Sequence, residues 1–147
     1  MKEEGPRLDE ALEGRIRAHF QSIPFLRTLG ATLGTVRPGF CELRVPVQPH
    51  LLQEHGYVHG GVVGTLADSA AGYAARTVVP EGSGVITVEY KLNFLAPADG
   101  EELIGRAEVL KGGRTLTVLR SDVFAVREGA ETRCASAIVT YLNLAPR

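Results

Sequence analysis

The sequence predicts an α+β domain in which one long apolar helix is wrapped by an antiparallel sheet. Three observations predict it. The run "HGGVVGTLADSAAGYAA" at 59–75 is helical in character, and Val62, Val63, Leu66, Ala67, Ala70, Ala71, Ala74 and Ala75 cover most of its circumference. A helix apolar nearly all round must be covered by a sheet or a partner. The residues after it read as a succession of strands and turns, without the helix–strand alternation of a parallel sheet. With 147 residues the chain is one domain's worth and can bury roughly 70% of its unfolded surface. We read 1–147 as a single domain, with an N-terminal helical segment at 1–24 and a core at 25–145.

The first element is a helix from Leu8 to Gln21. Leu8, Leu12, Ile16 and Phe20 recur every four residues as a narrow apolar stripe, and Pro24 ends it. A hairpin follows: a strand from Thr28 to Val36, a turn at Arg37-Pro38-Gly39, and a strand from Phe40 to Val47. On the second strand Cys41, Leu43, Val45 and Val47 alternate with Glu42, Arg44 and Pro46, a half-buried pattern. Pro46 marks an edge position or the strand's end. Residues 48–58 form a loop or short helical turn. The central helix runs from Gly60 to Val79, stopped by Pro80. Strands at 83–98, 101–111, 114–127 and 132–144 then form a meander. Its turns lie at Pro97–Gly100, Gly112-Gly113 and Glu128–Ala130.

Composition excludes several classes. The chain carries 13 Arg, 3 Lys and 17 acidic residues, a net charge of −1. No basic face for nucleic acid stands out. Cys41 and Cys134 are far apart with no CxxC or Cys/His grouping, so a zinc site is not expected, and both read as buried thiols on strands. The first twenty residues are charged and lack the apolar core of a signal peptide. The most apolar stretch, Val62 to Val79, holds Asp68 and Arg76 and does not read as a membrane span. The expectation is a reduced, cytoplasmic protein with no metal and no cofactor.

Two features of the central helix carry chemistry. The first turn of a helix has N–H groups without intrahelical partners, and the dipole adds positive charge there. Gly60 and Gly61 leave those groups open to an anion or oxyanion, although glycine also serves as a plain cap. Asp68 stands among alanines with no cation at i±3 or i±4. It either shares a narrow polar stripe with Thr65 and Arg76, or makes a buried hydrogen bond, or acts in a reaction. Gly60 and Asp68 are eight residues apart, about 12 Å along the axis. They cannot both reach one carbonyl. If both are catalytic, a symmetric dimer that lays one helix start beside the middle of the other satisfies the geometry. His59 reads as a cap or hydrogen-bonding residue. Lys111 and Arg114 flank the Gly112-Gly113 turn as a charged hairpin tip or a contact for phosphate. His19, His50 and His55 read as surface or loop residues.

"HGG…TLAD", "TVEYKLNFLAPADGEEL" and "KGGRTL" together resemble the hotdog-fold acyl-CoA thioesterases, and more narrowly the phenylacetate-degradation (PaaI-like) branch, over about residues 20 to 145. The resemblance implies a long helix wrapped by a curved antiparallel sheet, edge-to-edge dimers that pair into tetramers, and active sites spanning two protomers. It implies that Gly60 N–H, with Gly61 beside it, polarises a thioester carbonyl, and that Asp68 of the other subunit acts as general base or nucleophile. His59 would shape the loop, Thr87 would help place the water, and Lys111 and Arg114 would meet coenzyme A. Gln53 stands where many relatives carry Asn, one methylene shorter. The substrate implied is an aryl- or medium- to long-chain acyl-CoA. Two other functions share such a pocket: a non-catalytic acyl-CoA-binding module, and an acyl dehydratase or hydratase. The carboxylate of Asp68 argues against the first, and the His-Gly-Gly-to-Asp spacing against the second.

Overall fold

The computed structural model describes residues 5–147; residues 1–4 of the expected N-terminal segment lie outside the described residues. Helix α1 spans Glu10–Gln21. It starts two residues later than the apolar stripe suggests because Asp9 is its cap, accepting a hydrogen bond from Leu12 N–H at 3.1 Å. Ile16 and Phe20 are buried. Pro24 does not simply end a helix. It opens a second one, α2, over Pro24–Thr28, because its fixed φ and missing N–H suit the first helical position. This turn displaces the following strand: β1 covers Thr32–Arg37 rather than starting at Thr28.

β1 pairs with β2, Phe40–Pro46, across Gly39 at φ 72°. Pro46 is the last residue of β2, opposite Glu102 and beyond the residues paired with β1, so its missing N–H costs no ladder bond to that strand. A single 3₁₀ turn at Pro49–Leu51 leads into the central helix α3, Gly60–Arg76. α3 stops before the expected Val79 because Thr77 caps it. The Thr77 hydroxyl donates to Ala74 O and accepts from Gly39 N–H, both at 2.7 Å, which ties the helix end to the β1–β2 turn.

The remaining strands are β3 (Val85–Phe94), β4 (Glu102–Gly112), β5 (Leu116–Arg127) and β6 (Ala130–Asn143). All pairs are antiparallel, in the order β1-β2-β4-β5-β6-β3. β4, β5 and β6 form the expected meander, but β3 does not neighbour β4. The link at 95–101 is a crossover rather than a hairpin turn. It passes over the ends of β6 and β5, with Leu95 N–H on Cys134 O and Glu101 N–H on Val126 O, each at 2.8 Å. It must span three strand spacings, about 14 Å, well within the reach of seven residues. Gly100 permits the crossing, since a Cβ there would lie 2.1 Å from Val126 O.

The sheet curves around α3, which touches β2 to β6. Leu43, Val45, Leu103, Leu119, Val123 and Val139 face Val63, Leu66 and the alanines of α3, all buried. The expectation of a sheet-wrapped helix holds: this is the hotdog architecture. Cys41 and Cys134 are free, buried thiols on β2 and β6, as expected. No helix among the described residues is long and apolar enough to cross a membrane.

Candidate active site

Asp68 lies on the half-buried side of α3, where it meets β3 and β6. Its Oδ1 accepts two hydrogen bonds, from Thr87 Oγ1 and from the Tyr141 hydroxyl, each at 2.9 Å. The Tyr141 oxygen is also 2.7 Å from Asp68 O. Burial, and then the Asp68 charge, push the Tyr141 hydroxyl well above the usual tyrosine range, so it stays protonated and donates. Asp68 Oδ2 makes no hydrogen bond among the described residues and is free to act on a ligand.

Tyr141 is a site residue that sequence reasoning missed. On β6 Ala135, Ala137, Val139 and Tyr141 are all buried, and alternation puts them on the face toward α3. Thr87 is its register partner on β3. That pairing exists only because β3 lies beside β6. A hairpin between β3 and β4 hides it. Gly72 is the matching signal on α3: a Cβ there would sit 2.7 Å from the Tyr141 hydroxyl. The helix is bare at 72 so that this hydroxyl can reach Asp68.

At the other end of α3, His59 is the cap, at φ −58° and ψ 138°. Its Nδ1 accepts from Gly61 N–H at 2.8 Å, and its carbonyl accepts from Val62 and Val63 N–H at 2.9 and 3.3 Å. Gly60 N–H is the first-turn amide left without a partner among the described residues. The expected pair of donors therefore narrows to one, because Gly61 N–H is held by the cap. Gln53 lines the same pocket as Gly60, with Tyr57, Val58, Val63 and Phe94, in a space of about 470 Å³. Gln53 Oε1 accepts from His55 N–H, which leaves its amide NH₂ as a donor.

Asp68 opens elsewhere. Its pocket, about 280 Å³, is lined by Thr87, Tyr141, Tyr73, His19, Arg76 and apolar residues of α2 and β3. No residue lines both pockets. Within one protomer the structure does not bring Gly60 and Asp68 together. His19, expected at the surface or in a loop, instead stands at the Asp68 pocket with Nδ1 3.0 Å from the Tyr73 hydroxyl. Burial, and then the Arg76 charge, hold His19 below its ordinary value, and burial pushes the Tyr73 hydroxyl up to about 12. Lys111 and Arg114 are exposed at the β4–β5 turn and line neither pocket. Among the described residues no group of three His, Cys, Asp or Glu could hold a metal ion.

A backbone donor at a helix start and a hydroxyl-held carboxylate in a hotdog fold are what thioester hydrolysis asks for. The leaving thiolate departs readily, so no Ser-His-Asp triad is needed. The comparisons with known proteins agree. The family model described as the thioesterase superfamily matches residues 55–131, and the chain belongs to that superfamily. It is 31% identical over 124 residues to acyl-coenzyme A thioesterase 13 of Homo sapiens, covering 79% of this chain and 84% of that one. A solved thioesterase family protein from Silicibacter pomeroyi superposes with a TM-score of 0.88 at 44% identity, over 90% of this chain and 98% of that chain. The PaaI protein of the E. coli phenylacetic acid degradation operon shares the fold, with a TM-score of 0.83 at 20% identity, over 95% and 97% of the two chains. The protein is a thioester hydrolase.

Proposed function

We propose that this thioesterase hydrolyses aryl- or medium- to long-chain acyl-CoA to the free acid and CoA, at a site shared by two protomers. One observation carries the reading. β3 is one of the two edge strands of the sheet, with β1 at the other edge. At one end Thr87 holds Asp68; at the other, Phe94 lies against Gly60, whose Cβ would meet its ring at 3.0 Å. Antiparallel pairing of β3 with its own copy, centred near Tyr90-Lys91, sets the Thr87 end of one strand beside the Phe94 end of the other. Asp68 then faces the partner's Gly60, and two equal sites arise. β3 is built for such a neighbour: Ile86, Val88, Tyr90 and Phe94 are 45–60% exposed, an apolar edge that a free monomer would leave open to aggregation.

In the mechanism we assign, Gly60 N–H donates to the thioester oxygen and stabilises the charge that forms there. Such a donor is worth about 3–4 kcal/mol. Asp68 Oδ2 takes a proton from water as the water attacks, while Thr87 and Tyr141 hold Oδ1 and fix the carboxylate plane. Gln53 NH₂ orients the carbonyl from across the Gly60 pocket, and His59 fixes the loop by capping α3. Lys111 and Arg114 meet the phosphates of CoA at the rim. The dimers pair again into a tetramer, which molar mass in solution would reveal.

The test is release of free thiol from benzoyl- and octanoyl-CoA by the wild type and Asp68→Asn. The reading predicts release by the wild type and loss by roughly 10²–10⁴-fold in the variant. No release from either thioester, or an unimpaired variant, contradicts it. Heavy oxygen from labelled water found in Asp68 after a single turnover would make it the nucleophile instead of the base.

A further inference from the structure

Arg76 has no role in the chemistry above. It lies two turns after Asp68 on the same face of α3, with Gly72 between them. An arginine on a helix leans back toward the N-terminus, here toward Asp68. It is half-buried and lines the Asp68 pocket. Among the described residues no Asp or Glu forms an ion pair with it. The neighbouring Arg15 differs in this respect, since it pairs with Glu81 at 3.3 Å. The polar groups that share the pocket with Arg76, apart from Asp68, are Ser69, Tyr73, His19 and the two hydroxyls bound to Asp68.

We propose that Arg76 seats an anion carried by the acyl group, so that, within the aryl and medium-chain range, the preferred substrates are CoA thioesters of acids ending in a second carboxylate. This rests on the reading of Asp68 as the general base. With the thioester carbon at Asp68, an acyl group lying in this pocket beside Tyr141 ends at the guanidinium. A carboxylate there gains a charge-assisted hydrogen bond, bidentate where both oxygens reach the fork. The Tyr73 hydroxyl donates a further hydrogen bond in the tautomer where His19 Nδ1–H donates to its oxygen. The walls between are apolar, formed by Ile23, Leu26, Val85 and Ile86, which suits a ring or a medium-length chain. Coenzyme A phosphates are the other source of an anion. The far side of Arg76 offers them no net attraction, because its second cavity balances Arg15 and Arg76 against Asp9 and Glu81.

The experiment compares terephthaloyl- and adipoyl-CoA with their ω-methyl esters and with hexanoyl-CoA. It uses the wild type, Arg76→Met and Arg76→Lys, and repeats the set with N-acetylcysteamine thioesters, which lack phosphates. A charged hydrogen bond predicts that the wild type favours the free acids by roughly ten- to a hundredfold in kcat/KM, chiefly through KM. Arg76→Met erases that preference and keeps hexanoyl-CoA turnover, Arg76→Lys retains part of it, and the preference survives without the phosphates. Equal kcat/KM for acid and ester in an active wild type overturns the proposal. So does an Arg76→Met effect on every CoA thioester that vanishes with N-acetylcysteamine, which would make the phosphates the ligand. Loss of the dimer in Arg76→Met, or of hexanoyl-CoA turnover, would make Arg76 structural and also overturn it. Release of thiol from no thioester at all would instead defeat the Asp68 reading beneath it.

Discussion

In the proposed mechanism the two oxygens of Asp68 have different duties. Oδ1 is held by Thr87 and Tyr141, and Oδ2 is the proposed base. Removing one hydroxyl loosens the carboxylate without unfolding the helix. Tyr141→Phe is expected to lower kcat about tenfold, the worth of one hydrogen bond to a charged group. Thr87→Ala should do the same, and the double variant should lose less than the product of the two, because both act on one oxygen. Gly72→Ala should resemble Tyr141→Phe, since its methyl takes the place of the Tyr141 hydroxyl. Steady-state kinetics on one acyl-CoA reads all four. At this scale the sequence showed the odd residues and not their partners. Asp68 was legible because an acid among alanines is costly unless it is used or satisfied. Tyr141 was not, because an aromatic at an inward strand position reads as core until its cross-strand neighbour is known. The capping of Gly61 by His59 was equally hidden, since it depends on the imidazole turning back over the first turn.

Among the elements, α3 was the most legible and the order of strands the least. An apolar circumference and a glycine-alanine sequence state that a sheet must come close. Gly105 on β4 shows how close: a Cβ there would lie 2.8 Å from Leu66 Cγ and 3.0 Å from Leu66 O. Gly105→Ala is expected to cost about 1–3 kcal/mol as overpacking, read as a lower urea midpoint at unchanged slope. The crossover at 95–101 was read as a turn because Pro97, Asp99 and Gly100 are turn residues in either case. Local chemistry cannot tell a hairpin from a link across two strand ends. α2 was missed for a similar reason, since Pro24 stops one helix and starts another with the same ring. The α1–α3 contact has a pH signature. His19 is held below its ordinary value in the fold, so the unfolded chain binds more protons as pH falls through about 6.5. Stability from this contact is present above that pH and declines below it. His19→Gln should flatten that part of the curve, measured as urea midpoints between about pH 8 and pH 5.

For the whole molecule, the spacing of Gly60 and Asp68 calls for two chains if both act on one thioester, and the exposed edge of β3 is the surface we propose for joining them. Their pockets share no lining residue, and β3 carries one end of each half-site on an exposed apolar edge. The most direct test mixes two dead chains. Asp68→Asn removes the base. Gly60→Pro removes the N–H alone, because proline suits the first helical position and His59 already holds the conformation that precedes proline. The ring also presses on Phe94, which the proposed interface covers, so dimer formation by this variant is verified before its rate is read. Each variant alone should be nearly inactive. Hybrid dimers purified through two different tags hold one intact site and one doubly defective site, and should recover about half the wild-type rate per dimer. Hybrids that form and stay inactive, while each parent remains folded, would contradict a site shared between protomers.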